Sequence, residues 1–184
     1  MASVFPDPSA LGEGPALATR HLLVFSLPAA LLCALAWGLC ARVGWVEPPQ
    51  RPRAITAEVR DAVVLTAVFA PVGAATALYT GFSLGWHWST WSALGNVFSN
   101  LWEEVVYRGW IGSAMLGATG SRAAAVLMSG AVFAYTHSNY PPALQAFVGA
   151  TGAGLMLLWL RHRSLFAPWL AHQLLDMILD TVLT

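Results

Sequence analysis

Apolar residues in this chain come in long runs separated by short polar breaks. The runs cover about 21–43, 58–79, 90–116, 122–137, the stretch after Pro142 to 160, and 165–183. The breaks have turn chemistry. Residues 44–57 hold Pro48, Pro49, Pro52, Arg51 and Arg53, residues 81–89 are rich in Gly and Trp, and 161–164 read Arg-His-Arg-Ser. A membrane span needs roughly 20 apolar residues. The pattern therefore predicts an all-α fold, a polytopic membrane helix bundle of about six transmembrane helices. Pro28 and Pro71 fall inside two runs, where membrane helices tolerate kinks. Residues 1–19, with three prolines and no apolar run, read as a flexible tail without signal-peptide features. Residues 20–184 then form a single transmembrane domain, with no internal repeat.

Composition agrees. Hydrophobic residues make up 57% of the chain and charged ones only 10%, with mean hydropathy +0.61. Soluble domains carry about a quarter charged residues, so lipid is the expected solvent. Zero formal net charge gives no reason to expect a nucleic-acid partner. Trp86, Trp88 and Trp91 suit an interfacial belt. Gly149 with Ala153, and Ala150 with Gly154, have the spacing that lets membrane helices approach closely. Cys33 and Cys40 share a helix face too far apart along it to bridge, and read as small core residues. The odd-numbered breaks and their helix ends hold Arg42, Arg51, Arg53, Arg60, Arg122, Arg161 and Arg163, against Arg20 alone on the other side. Positive charge stays cytoplasmic, which places both termini outside.

The chemistry concentrates in Trp102-Glu-Glu-Val-Val-Tyr-Arg-Gly-Trp110, where two carboxylates and an arginine interrupt an apolar run. Ionisable groups in hydrocarbon are expensive and mark function by default. Residues four apart on a helix share a face, so Asn96, Asn100, Glu104 and Arg108 form one polar stripe and Glu104 can pair with Arg108. Glu103 points about 100° away. Having no arginine at pairing distance, it is the carboxylate left to act as general base. The next run ends Phe133-Ala-Tyr-Thr-His137, and the last carries His172-Gln-Leu-Leu-Asp176 with Asp180 on the same face. Each feature has a structural alternative: a packing ion pair, an interfacial histidine, a register-fixing His–Asp pair. Their occurrence together on three helices favours a site. His21, His87 and His162 read as structural.

Glu-Glu-x-x-x-Arg, then Phe-x-x-x-His, then His-x-x-x-Asp, in order over residues 90–180, resemble the CPBP family of intramembrane proteases. That group is related to the CAAX prenyl endopeptidase Rce1 and to the bacterial Abi proteins. The resemblance implies a helical bundle with a buried polar site, in a multi-pass protein of the bacterial inner (cell) membrane. By position it implies Glu103 as the catalytic glutamate and His137 as its partner in activating water. Glu104 and Arg108 would organise the site, and His172 with Asp176 would stabilise the oxyanion. Asp176 departs from the Asn of eukaryotic CAAX proteases, whose amide donates a hydrogen bond that an ionised carboxylate cannot. It is then protonated, orients a cationic His172, or binds metal. Glu103, His137, His172 and Asp176 would be the ligands of a Zn²⁺ ion if one is used. No His-Glu-x-x-His occurs, and the same residues also serve a metal-free mechanism.

The leading expectation is an endopeptidase acting on a membrane-anchored or membrane-associated polypeptide: prenylated, bacteriocin-like, or bearing a C-terminal sorting anchor. The alternatives are a non-proteolytic ion or proton relay and an immunity or binding partner that keeps the fold. With six spans, His137 lies on the outer side, and the cavity opens outward toward exported or anchored substrates. A cysteine introduced at Asn139 should react with a membrane-impermeant maleimide applied to intact cells. Protection there would reverse the orientation.

Overall fold

The computed structural model describes residues 23–24, 27–44, 46, 52, 54–86, 88 and 90–183. The expected tail, Arg20, His21, the start of the first run, most of the Pro-rich loop, His87 and the side chain of Trp91 lie outside them. The described residues form helices throughout, with no strand beyond an isolated bridge between Leu84 and Leu183. They are α1 (Leu27–Arg42), α2 (Ile55–Tyr79), α3 (Thr90–Glu104), a π-helical segment (Val105–Gly112), α4 (Ser113–Thr119), α5 (Arg122–Thr136), α6 (Pro142–His162) and α7 (Phe166–Val182). From α3 through α4 the backbone stays helical, so the elements make six helical runs.

Local sequence explains the boundaries. Pro28 stands near the start of α1, and the two residues before Leu27 lie outside the described residues. Pro71 stands inside the unbroken α2. Gly120 caps α4 at φ 65°, a left-handed conformation that glycine adopts without steric cost. Ser121 caps α5 by accepting from the Ala124 amide at 3.2 Å.

Two helices are long and apolar enough to cross a membrane, Ile55–Tyr79 and Pro142–His162, and Leu27–Arg42 and Arg122–Thr136 are shorter apolar helices. Two aliphatic faces are exposed: Leu31, Leu32, Leu35 and Leu39 on α1, and Val63, Val64, Val68 and Val72 on α2. Helix α6 is the core element. Its Leu155 and Leu158 pack with Ala62, Ala167 and Ala171, and its Met156, Trp159 and Leu160 pack with Ala125.

The small-residue pairs on α6 serve two neighbours. A Cβ at Gly130 of α5 would lie 2.7 Å from the Gly149 carbonyl and 3.1 Å from Ala153 Cβ. On its other side, a Cβ at Gly154 would lie 3.1 Å from Leu65 of α2. Polar contacts mark the two ends of the bundle. At one end, Asp61 of α2 binds Arg161 at 2.9 Å and His162 at 3.0 Å, and Ser164 donates to buried Glu58 at 2.8 Å. Arg122 reaches the Leu160 carbonyl there as well. At the other end, Asn96 of α3 donates to Asp180 of α7 at 3.0 Å, and Gln145 donates to the Ala134 carbonyl.

Gly130→Ala should lower stability by about 1–3 kcal/mol, because backbone faces backbone and neither side can yield. Thermal unfolding of the purified protein in detergent would measure it, with Gly117→Ala, where a Cβ meets nothing within 4 Å, as the control.

Candidate active site

The polar stripe of α3 lies along α7. Asn100 donates to Gln173 at 3.2 Å, Gln173 donates to the Ala93 carbonyl at 3.1 Å, and Trp169 donates to the Val97 carbonyl at 3.0 Å. This seam places His172 against the end of α3, where Glu104 Oε1 lies 2.8 Å from His172 Nδ1. A carboxylate accepts, so Nδ1 carries the proton and Nε2 faces the remaining acids.

Glu104 and Arg108 pair as their spacing predicts. Both are fully buried, and Arg108 Nε lies 3.1 Å from Glu104 Oε2, close enough for an ion pair but not aligned as a hydrogen bond. Arg108 Nη2 donates to the Gly152 carbonyl of α6 at 3.2 Å. Its guanidinium also lies 4.9 Å from the centroid of the Phe133 ring, a desolvated cation–π contact worth about 2 kcal/mol. The expectation that Glu104 serves Arg108 is thus incomplete. Glu104 holds His172 as well, a partner that spacing within one helix cannot reveal.

Glu103 turns to a different side, as the 100° offset predicts. Its Oε2 lies 3.9 Å from His172 Nε2, and Asp176 Oδ2 lies 3.7 Å from the same nitrogen. Side-chain exposure rises across the cluster, from 0% at Glu104 and Arg108 to 8% at His172, 19% at Glu103 and 32% at Asp176. The open side follows α7 toward Asp180.

His137 follows the last turn of α5 and joins the cluster through an aromatic ring. Phe133 is edge-on to His137 at 4.8 Å, to His172 at 5.5 Å and to Tyr107 at 4.9 Å. His137 Nδ1 lies 2.8 Å from the Phe133 carbonyl, so it carries the proton and leaves Nε2 with a lone pair in the neutral ring. Among the described residues no hydrogen bond joins His137 to Glu103.

The π-helical segment follows the two glutamates directly. Wide turns of this kind occur at functional sites, and this one brings Gly109 and Gly112 against bulky neighbours. A Cβ at Gly109 would lie 2.9 Å from Trp37 of α1, and one at Gly112 would collide with Met156 of α6. Gln173, Trp169 and Tyr107 also line the cluster but were not singled out by charge or spacing, and the ring of Phe133, known from its motif, links the two histidines. The available signals were that Gln173 adjoins His172 and that Tyr107 stands one turn from Glu103.

The four candidate metal donors do not form a ligand set in this arrangement. His172 Nδ1 is bonded to Glu104 and His137 Nδ1 to a carbonyl, which leaves Nε2 of each ring open. Among the described residues no three His, Cys, Asp or Glu side chains are disposed around a common metal position.

With this geometry in view, a family model for the type II CAAX prenyl endopeptidase, Rce1-like, matches residues 85–178. The chain belongs to this family. The match runs from the approach to α3 into α7 and includes Glu103, Glu104, Arg108, His137, His172 and Asp176. Rce1-like proteins are membrane proteases, so membership supports peptidase activity and a membrane location. Comparison with curated proteins and with solved structures returned no match.

Arg108→Met should destabilise the protein by about 3 kcal/mol or more, because it strands a buried carboxylate. Combining it with Glu104→Gln should recover part of the loss. Unfolding of both single variants and the double variant in detergent checks this, and a double-variant loss equal to the sum of the two single losses would show that the pair is not coupled.

Proposed function

We propose that this protein is an intramembrane endopeptidase that hydrolyses a peptide bond in a membrane-associated polypeptide by water activation on Glu103. The reading rests on one observation above others. Two part-exposed carboxylates converge on His172 Nε2, backed by a buried Glu104–Arg108 pair, within the segment that matches the protease family.

In this reading Glu103 takes a proton from water while His137 Nε2 accepts a hydrogen bond from that water and aims it. The hydroxide oxygen bonds to the scissile carbonyl carbon, and the carbonyl oxygen takes the negative charge. His172, with Nδ1–H anchored on Glu104, presents Nε2 and in its protonated form donates to that oxyanion. Asp176 orients His172 and balances its charge, and the oxyanion hydrogen bond that an amide would donate falls to His172 alone. When the C–N bond breaks, the proton held by Glu103 passes to the leaving nitrogen. Atoms and charge then balance with water as the only co-substrate.

All six helical runs are proposed to cross the bilayer. Arg60, Arg122, Arg161 and Arg163 then sit at the cytoplasmic end, and the open side of the site, near Asp180 and Asn96, faces outward. Exported or anchored polypeptides fit that opening better than cytoplasmic prenylated ones.

Glu103→Gln should abolish cleavage while the protein still folds and inserts. Comparing membrane proteomes of cells carrying wild type or Glu103→Gln by mass spectrometry of new termini should show at least one terminus lost in the variant. Identical termini, with both proteins present at equal level, would refute the reading.

A further inference from the structure

Glu103 and His137, the two groups proposed to activate water, sit on different helical runs and share no hydrogen bond among the described residues. Something else must hold their spacing. Tyr107 ties the α3–π–α4 run to α5 twice, once through its backbone and once through its side chain. Its carbonyl accepts from Ser129, a fully buried residue in mid-α5, at 3.2 Å. Its hydroxyl lies 2.9 Å from Thr136 Oγ1, in the last turn of α5.

The direction of that last bond follows from its neighbours. Thr136 Oγ1 donates to the Phe133 carbonyl at 2.9 Å, so its single proton is used and the Tyr107 hydroxyl is the donor. The same carbonyl accepts from His137 Nδ1 at 2.8 Å. The chain therefore reads Tyr107 to Thr136 to the Phe133 carbonyl, with His137 bonded to that carbonyl from the other side. Tyr107 stands four residues after Glu103, within the π-helical segment that begins at Val105. The Tyr107 ring also meets Phe133 edge-on.

We propose that Tyr107 is a positioning residue. Resting on the reading of Glu103 and His137 given above, its hydroxyl, through Thr136, sets the distance and angle between the two. It fixes the final turn of α5, where the helical ladder ends and His137 takes a non-helical backbone, φ −102° and ψ 31°. Removing the hydroxyl alone, as Tyr107→Phe does, keeps the ring contact but releases that turn. A misplacement of about 1 Å in such a pair can lower turnover by about 10²-fold.

The test has two arms. In a chain carrying Cys33→Ala and Cys40→Ala, Glu103→Cys and His137→Cys are bridged with a short bis-methanethiosulfonate reagent. Tyr107→Phe and Thr136→Val should each cut the bridging yield several-fold, the two together no further, and Thr136→Ser should leave it unchanged. In the active chain, turnover of an internally quenched peptide carrying the cleavage site found by the comparison of termini should show kcat about tenfold lower in Tyr107→Phe with KM unchanged. Thr136→Ser should behave as wild type, and the melting temperature should change little.

Unchanged bridging with Tyr107→Phe, or a change in KM with kcat intact, would overturn the proposal. Should Tyr107→Phe fail to fold, Thr136→Val carries the same expectations. If Glu103→Gln cuts the peptide at the wild-type rate, the functional reading fails, while the bridging yields still decide whether Tyr107 sets the spacing.

Discussion

The carboxylate of Glu104 is the constraint on which the site depends. It has no access to solvent, and a buried charge is tolerated only when opposite charge and hydrogen bonds surround it. Arg108 supplies the charge and His172 supplies an N–H, one from the adjoining π segment and the other from α7. Arg108 in turn donates to the carbonyl of Gly152 on α6. One carboxylate thus ties three helical runs to a common point. Gly152 is part of the same constraint, since any side chain there would collide with Phe133 at 2.8 Å.

Around that point the polar groups divide by their access to water. Glu104 and Arg108 are sealed, while Glu103 and Asp176 are partly open. His172 stands at the boundary and belongs to both sets, one nitrogen for each. Such a division suits a hydrolytic centre, because the sealed groups keep a fixed field and the open ones meet water and substrate. The same division in a relay would need a second polar path through the Arg108 side, where the guanidinium is packed against Phe133.

Much of this was legible in the chain, for definable reasons. Periodicity placed Glu104 with Arg108 and turned Glu103 aside, because both follow from helix geometry alone. Motif order placed the two histidines and Asp176 on the elements that meet at the cluster. What spacing could not say was which face of α7 would meet which face of α3. Hence the Glu104–His172 bond and the Asn100–Gln173 bond emerged only from the packed structure. The π segment was invisible because Val105–Gly112 uses residues that an α-helix would accept equally well.

That wide segment has a consequence for how relatives should be aligned. Upstream of Val105 the helix keeps α-helical phase, so fixed offsets from Glu103 back to Asn96 have a structural meaning. Downstream, each loosened turn shifts the phase, and an offset counted from the glutamates to Ser113 no longer names a face. A family member lacking one residue between Val105 and Gly112 could close this segment into ordinary α-helix. A wide turn absorbs one extra residue, so that member's two glutamates would stay in place and the residues beyond would keep nearly their present direction. Where in this short stretch a residue is lost therefore decides whether an arginine still stands four residues from the buried carboxylate, within reach of an α6 carbonyl.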